Sequence, residues 1–253
     1  MIQLKSEQDI ESLAAGGKLL AEVLDELEAM VEPGMTGLQL EDVAQVRMKE
    51  MGVTPAFQGY ASGGHDPYPF ALCVSVNEAV VHGMPNDAPF DEGDIVGVDA
   101  GLVYEDKYYL DSARTIPVGT VTNEAKNLLD ITKESLSIGI AEATVGAYVG
   151  DIGAAVQEYV EGQGLQVVRQ LVGHGVGFGV HEPPQVPNFG KRGKGEILEE
   201  GLVIAIEPMV VIGDATVVTA ADGWTVESRS GALSAHFEHT VAVTKDGPRI
   251  LTT

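Results

Sequence analysis

Four carboxylates and two histidines stand where ionisable groups are costly unless they have partners. Asp99 follows the apolar run Ile95-Val96-Gly97-Val98. Glu207 closes Val203-Ile204-Ala205-Ile206, and Pro208 behind it keeps Glu207 extended. Glu238 opens the apolar stretch that continues through His239, Thr240 and Val241. Asp111 lies twelve positions after Asp99. In one straight strand the two would be about 40 Å apart at ~3.3 Å per residue, so they meet only if the chain turns back between them. His174 and His181 lie in a run punctuated by Gly173, Gly175, Gly177 and Gly179. Such glycines let the backbone come close to something, and histidines there bind metal or move a proton. Each of these residues taken alone reads equally well as a turn, edge or loop residue. The conjunction points to a metal hydrolase. A carboxylate ending a buried strand is expensive unless it is paired or bound to a cation. Four carboxylates balance the charge of two divalent ions. A mostly oxygen set with one imidazole suits Mn²⁺, Fe²⁺ or Co²⁺ better than a thiolate-type zinc site. Two such ions polarise a carbonyl and activate water at neutral pH. His82, between an apolar stretch and Gly83-Met84-Pro85, is as a lone histidine more commonly structural, and it gains weight only beside such a pocket.

Composition narrows the class. The 253 residues suffice for one large core without staples, and a single cysteine, Cys73, excludes an internal disulfide and suits a reducing compartment. Residues 1–12 carry Lys5, Glu7, Asp9 and Glu11 and lack the apolar centre of a signal peptide. No window approaches the ~20 apolar residues of a membrane span. The expectation is a cytoplasmic, globular monomer. The net charge of −23 argues against nucleic acid and anionic membranes as partners of the general surface. A short basic patch, Lys191, Arg192 and Lys194, is the exception.

The elements that must position the acids follow from periodicity. Ser6 with Asp9, and Thr36 with Gln39, are capping boxes that start two helices. The first carries Ile10, Leu13, Leu20, Leu24, Leu27 and Val31 at helical spacing and stops before Pro33-Gly34; the second ends near Met51. Further helices are predicted over 123–143 and 149–161. Strands are predicted over 72–76, 95–98, 165–172, 202–206, 209–212, 215–219 and 237–243, and a hairpin over 94–116 with its turn near Glu105-Asp106. Residues 60–70 read as a loop rich in glycine, proline and aromatics, and 183–200 as a loop. The order helix, helix, strands occurs twice, in halves of about 1–120 and 121–253. That plan implies a single α+β domain with pseudo-two-fold character and a site between the halves.

Together these residues resemble the type I methionine aminopeptidases of the M24 metallopeptidase family. The resemblance covers nearly the whole chain. It rests on residues 77–85 with His82, Asp99 with Asp111, 173–182 with His174 and His181, 205–208 with Glu207, and 234–240 with Glu238. The separations from His174 to Glu207 and from Glu207 to Glu238 leave no room for the helical insertion of the type II enzymes. The resemblance implies the pita-bread fold, a curved antiparallel sheet with four main helices outside. It implies that Asp99, Asp111, His174, Glu207 and Glu238 hold two divalent ions (Co²⁺, Mn²⁺, Fe²⁺ or Zn²⁺), with Asp111 and Glu238 bridging. Glu207 would also carry the proton, His181 would steady the oxyanion, and His82 would contact the scissile amide nitrogen. Tyr68, Cys73 and Trp224 match the methionine side-chain pocket, and His65 stands where an aromatic is expected. The implied activity is removal of the initiator methionine from N-termini of nascent polypeptides ahead of a small second residue. The basic patch would offer a transient ribosome contact.

Two departures from the family pattern bear on the site. The two aspartates are one residue further apart than is usual, and His236 replaces a common glutamine. A surplus residue inside a strand would flip one aspartate to the opposite face; in the turn or a bulge it would not. Two rivals are a prolidase or aminopeptidase P-like Xaa-Pro hydrolase and a non-catalytic pita-bread binding module. The first usually has a large extra N-terminal domain, and the second would have lost its ligands.

Overall fold

Local sequence starts the helices as expected. Ser6 Oγ accepts from the Asp9 N–H while Asp9 accepts from the Ser6 N–H, and α1 (Glu7–Met30) begins there. Thr36 and Gln39 do the same for α2 (Gly37–Glu50). Thr122 caps α3 (Asn123–Ala141), and the Asp151 carboxylate accepts from the Tyr148 N–H at the start of α4 (Val149–Gly162). The computed structural model describes residues 2–61 and 66–253. Its first strands are β1 (Thr54–Pro55), β2 (Leu72–Val76), β3 (Ala79–Val81), β4 (Ile95–Tyr104) and β5 (Tyr108–Pro117). After α4 come β6 (Gln166–Val167), β7 (Gly173–Gly175), β8 (Glu182–Val186), β9 (Val203–Ile206) and β10 (Met209–Val211). The chain ends with β11 (Val217–Thr219), β12 (Val226–Ser228), β13 (Ser234–His236), β14 (Glu238–Thr244) and β15 (Gly247–Ile250).

A curled nine-stranded antiparallel sheet runs β1-β4-β5-β14-β9-β7-β8, with β2 also on β4 and β15 also on β14. Strands of the two halves join directly where Glu238 pairs with Ala113. The apolar stripe of α1 packs on β4 and β5, burying Leu13, Leu20, Leu24 and Leu27 with Val98, Leu102 and Leu110. On the other half, α3 and α4 bury Leu128, Leu136, Ile152 and Val156 against Ile204, Ile206 and Val241. This is the α+β pita-bread architecture, with four helices outside a curled sheet. Two expectations need correction. Of 165–172 only Gln166–Val167 is a strand. Within 183–200, Glu182–Val186 is a strand rather than loop: it lies at the edge of the sheet, where prolines 183 and 184 cost no interior ladder bond.

The Asp99–Asp111 hairpin carries its extra residue in the turn. Tyr104 pairs with Tyr108, so Glu105, Asp106 and Lys107 form the connection, with φ of 52° and 53° at the first two. The ladder behind it has no bulge: Asp99 pairs with Ala113 and Gly101 with Asp111. Ala113 and Asp111 are two apart on one strand, so both aspartates share a face. Replacing Glu105-Asp106-Lys107 by Asn-Gly, a two-residue hairpin turn, is therefore expected to preserve the register. Divalent-ion uptake measured by calorimetry should match the parent within about threefold. Loss of uptake with native far-UV circular dichroism would show that the turn, not the ladder, sets the site.

Candidate metal centre

The sheet assembles the acids by register. Cys73 pairs with Asp99, Asp99 with Ala113, and Ala113 with Glu238, so one row across three strand pairings carries two of the carboxylates. Asp111 stands two residues from Ala113 on the same face. His239 pairs with Ile206, the last residue of β9, which brings Glu207 up beside Glu238 just ahead of Pro208. His174 comes from the middle of β7, next to β9. The glycines flanking it let the neighbouring strands come close. A Cβ on Gly173 would lie 2.4 Å from the Ala205 carbonyl oxygen, and one on Gly175 would lie 2.3 Å from that of Pro183.

All ten described sequence candidates line one cleft of about 1130 Å³: Asp99, Asp111, His174, Glu207 and Glu238, with His82, His181, Tyr68, Cys73 and Trp224. His65 lies outside the described residues. Ligand-type atoms of Asp111, His174 and Glu238 all fall within 4.8 Å of one another. His174 Nε2 is 3.8 Å from Asp111 Oδ2 and 3.5 Å from Glu207 Oε1. Its Nδ1 lies 2.9 Å from the Gly175 carbonyl oxygen, which fixes Nδ1 as the N–H donor and leaves the Nε2 lone pair toward the acids.

Burial dominates the electrostatics. It raises the Asp99 carboxyl, aided by the Asp111 charge, and raises Glu238, aided by the Asp111, Glu207 and Asp99 charges. It pushes Asp111 up to about 8, with help from Glu207, and Glu207 up to about 8. It lowers His174 to about 3 and His82 to about 4, each also repelled by neighbouring histidines. Four acids and neutral imidazoles facing one another lack internal compensation. Asp99 Oδ1, Asp111 Oδ1, Glu238 Oε1 and His236 Nε2 are buried without a hydrogen-bond partner in the protein. Acceptor oxygens in that state call for a cation, and the donor set, oxygens with one imidazole lone pair, fits divalent ions.

The supporting shell is specific. His236 places Nε2 at 3.4 Å from Glu207 Oε2, so the residue that departs from the family pattern faces a carboxylate of the cluster. His82 has φ of 58°, a strained left-handed backbone held where the Gly83 N–H donates to Ser75 Oγ. Tyr68 is buried, and its hydroxyl donates to the carbonyls of Leu72 and Gly83 while its ring meets Trp224 edge-on at 5.1 Å. The loop bearing His181 is tied down by Glu182, which accepts from the Phe178 N–H at 2.5 Å and from buried Lys5 Nζ at 2.6 Å. Sequence reasoning missed Lys5, Phe57 and Tyr60. The last two line the cleft, and Tyr60 stands in the aromatic-rich loop that was recognisable as such. Lys5 gave no signal, because its partner is 177 residues away. The basic patch divides: Arg192 is engaged by Glu142 and Glu158, while Lys191 and Lys194 stand along the cleft.

Comparison with known proteins agrees with this geometry. The chain is 45% identical over 252 residues to methionine aminopeptidase of Clostridium perfringens, covering 100% of this chain and 99% of that one. It is 41% identical to methionine aminopeptidase 1 of Bacillus subtilis, covering 100% and 99%. The crystal structure of methionine aminopeptidase from Thermotoga maritima superposes with a TM-score of 0.96 at 43% identity and full coverage of both chains. The prolidase of Pyrococcus horikoshii shares the fold, with a TM-score of 0.77 at 23% identity, but this chain covers only 63% of its length. Residues 11–245 match the sequence pattern of Metallopeptidase family M24, and the chain belongs to that family.

Proposed function

We propose that this protein removes the N-terminal methionine from nascent polypeptides, ahead of a small second residue. It is a metal-dependent exopeptidase working as one domain of two pseudo-symmetric halves. The observation that carries this reading is that the acid and imidazole cluster lines one cleft with Tyr68, Cys73 and Trp224. Asp99, Asp111, His174, Glu207 and Glu238 would hold two divalent ions, of Co²⁺, Mn²⁺, Fe²⁺ or Zn²⁺ type. Held there, such ions supply Lewis acidity toward the scissile carbonyl and acidify water. Glu207 would take the proton of the attacking water and return it to the leaving amine. His181 donates to the developing oxyanion, and His82 contacts the amide nitrogen. Tyr68, Cys73 and Trp224 receive the methionine side chain.

The Xaa-Pro reading rests on shared fold alone, and the non-catalytic reading conflicts with a complete set of ligand-type residues. The site of action inferred is the cytoplasm, on N-termini emerging from the ribosome, with the protein as a monomer. Among the described residues no helix is long and apolar enough to cross a membrane.

Three outcomes test this reading. Met-Ala-Ser should be cleaved at least about a hundredfold faster, in kcat/KM, than an Xaa-Pro dipeptide; the reverse order would favour a prolidase. Glu207→Gln should lower kcat by about a thousandfold while the fold persists by circular dichroism. The third concerns pH. Asp111 and Glu207 ionise near 8 in the metal-free fold, against 3.8 and 4.5 ordinarily. Below about pH 4 both folded and unfolded chains carry these protons, but between there and pH 8 the unfolded chain binds fewer. The metal-free protein should therefore lose stability as pH rises through that window, and divalent ions should restore it with release of protons. Thermal unfolding with and without chelator, from pH 5 to 8, measures this; a metal effect on Tm that shrinks with rising pH would contradict it.

A further inference from the structure

His181 is gripped on the ring edge opposite its proposed working atom. The Tyr60 hydroxyl lies 2.7 Å from His181 Nδ1, with the two rings 5.1 Å apart at 58°. We propose that Tyr60 is a positioning residue for His181, its hydroxyl donating to Nδ1 so that Nε2 is held as the N–H donor. A neutral imidazole has one donor and one acceptor nitrogen, so a donor fixed on Nδ1 decides which tautomer is present. Both partners are anchored independently. The Tyr60 N–H donates to the Phe57 carbonyl at 2.9 Å, and the Tyr60 carbonyl accepts from the Tyr68 N–H at 2.8 Å. The His181 segment is held by Glu182 through Phe178 and Lys5. The His174 ring, 4.3 Å away and edge-on at 68°, walls the imidazole on another side. The hydroxyl thus orients the ring rather than following it, and in donating to Nδ1 it selects against the flipped ring and the Nδ1–H tautomer, neither of which presents an N–H to a substrate oxyanion.

This inference rests on the assignment of His181 as oxyanion donor, and the test separates the two. Kinetics on Met-Ala-Ser with Co²⁺ would compare the parent, Tyr60→Phe, His181→Ala and the double variant. The ¹⁵N shifts of the His181 side chain would be read in the Zn²⁺-loaded protein. Tyr60→Phe should lower kcat about tenfold, the scale of one hydrogen bond, with KM changed less than twofold. It should cost nothing further in the His181→Ala background. The parent should show a protonated Nε2 and a bare, hydrogen-bonded Nδ1, and Tyr60→Phe should lose the Nδ1 hydrogen-bond shift. An Nδ1–H tautomer in the parent overturns the inference without any variant. So does unchanged kcat in Tyr60→Phe, or an equal tenfold loss in the His181→Ala background. Full activity of His181→Ala would instead remove the assignment of His181 itself.

Discussion

Everything in this structure is arranged around four carboxylates buried in one cleft. In an apolar interior each would cost several kcal/mol if ionised without a partner. Among the described residues no Lys or Arg pairs with Asp99, Asp111, Glu207 or Glu238; the ionisable groups beside them are one another and neutral imidazoles. Such a cluster is sustained by holding protons or by holding cations. The family to which the chain belongs uses cations, and the unsatisfied oxygens of Asp99, Asp111 and Glu238 match that use. The acids also need a frame stiff enough to keep like charges close. A continuous ladder from β2 through β4 and β5 to β14 and β9 provides it, backed by a helix pair on each half.

The frame and the chemistry are separable in origin. Strand register places Asp99, Asp111 and Glu238, with no loop deciding their geometry. The groups argued to meet the substrate, His82, His181, Tyr68 and Trp224, stand instead on turns and loops, each secured by its own hydrogen bonds or packing. A rigid centre with individually fastened contacts lets the metal-type cluster stay constant while side-chain selection is tuned around it.

Much of this was readable in the sequence, for definable reasons. The capping boxes of Ser6 and Thr36, the stripe of α1 and the hairpin turn at Glu105-Asp106 are local signals, and they give the helices and the hairpin to within a few residues. The acids were visible because each ends or opens an apolar run. The strand Glu182–Val186 was hidden by its two prolines, which speak against a strand until its edge position is known. The long reading of 165–172 failed because the chain bends at the exposed Arg169 and Gln170, leaving only Gln166–Val167 paired with β10. Lys5 with Glu182, and Tyr60 with His181, are contacts across 177 and 121 residues, and no window of sequence reports on them. His236 was noticed only as a departure, and its place beside Glu207 needed coordinates.

The paired hydrogen bonds between Gly59, Tyr60 and Tyr68 close the segment 61–67 at its base. With both tyrosines fixed there, their placement relative to each other is set by these bonds. Closure entropy grows slowly with length, by about 0.6 kcal/mol per doubling. The connection between the two tyrosines is thus a place where the chain can lengthen or shorten at small thermodynamic cost. A change of length between Tyr60 and Tyr68 therefore leaves the two bonded tyrosines, and the cleft wall they form, as they are.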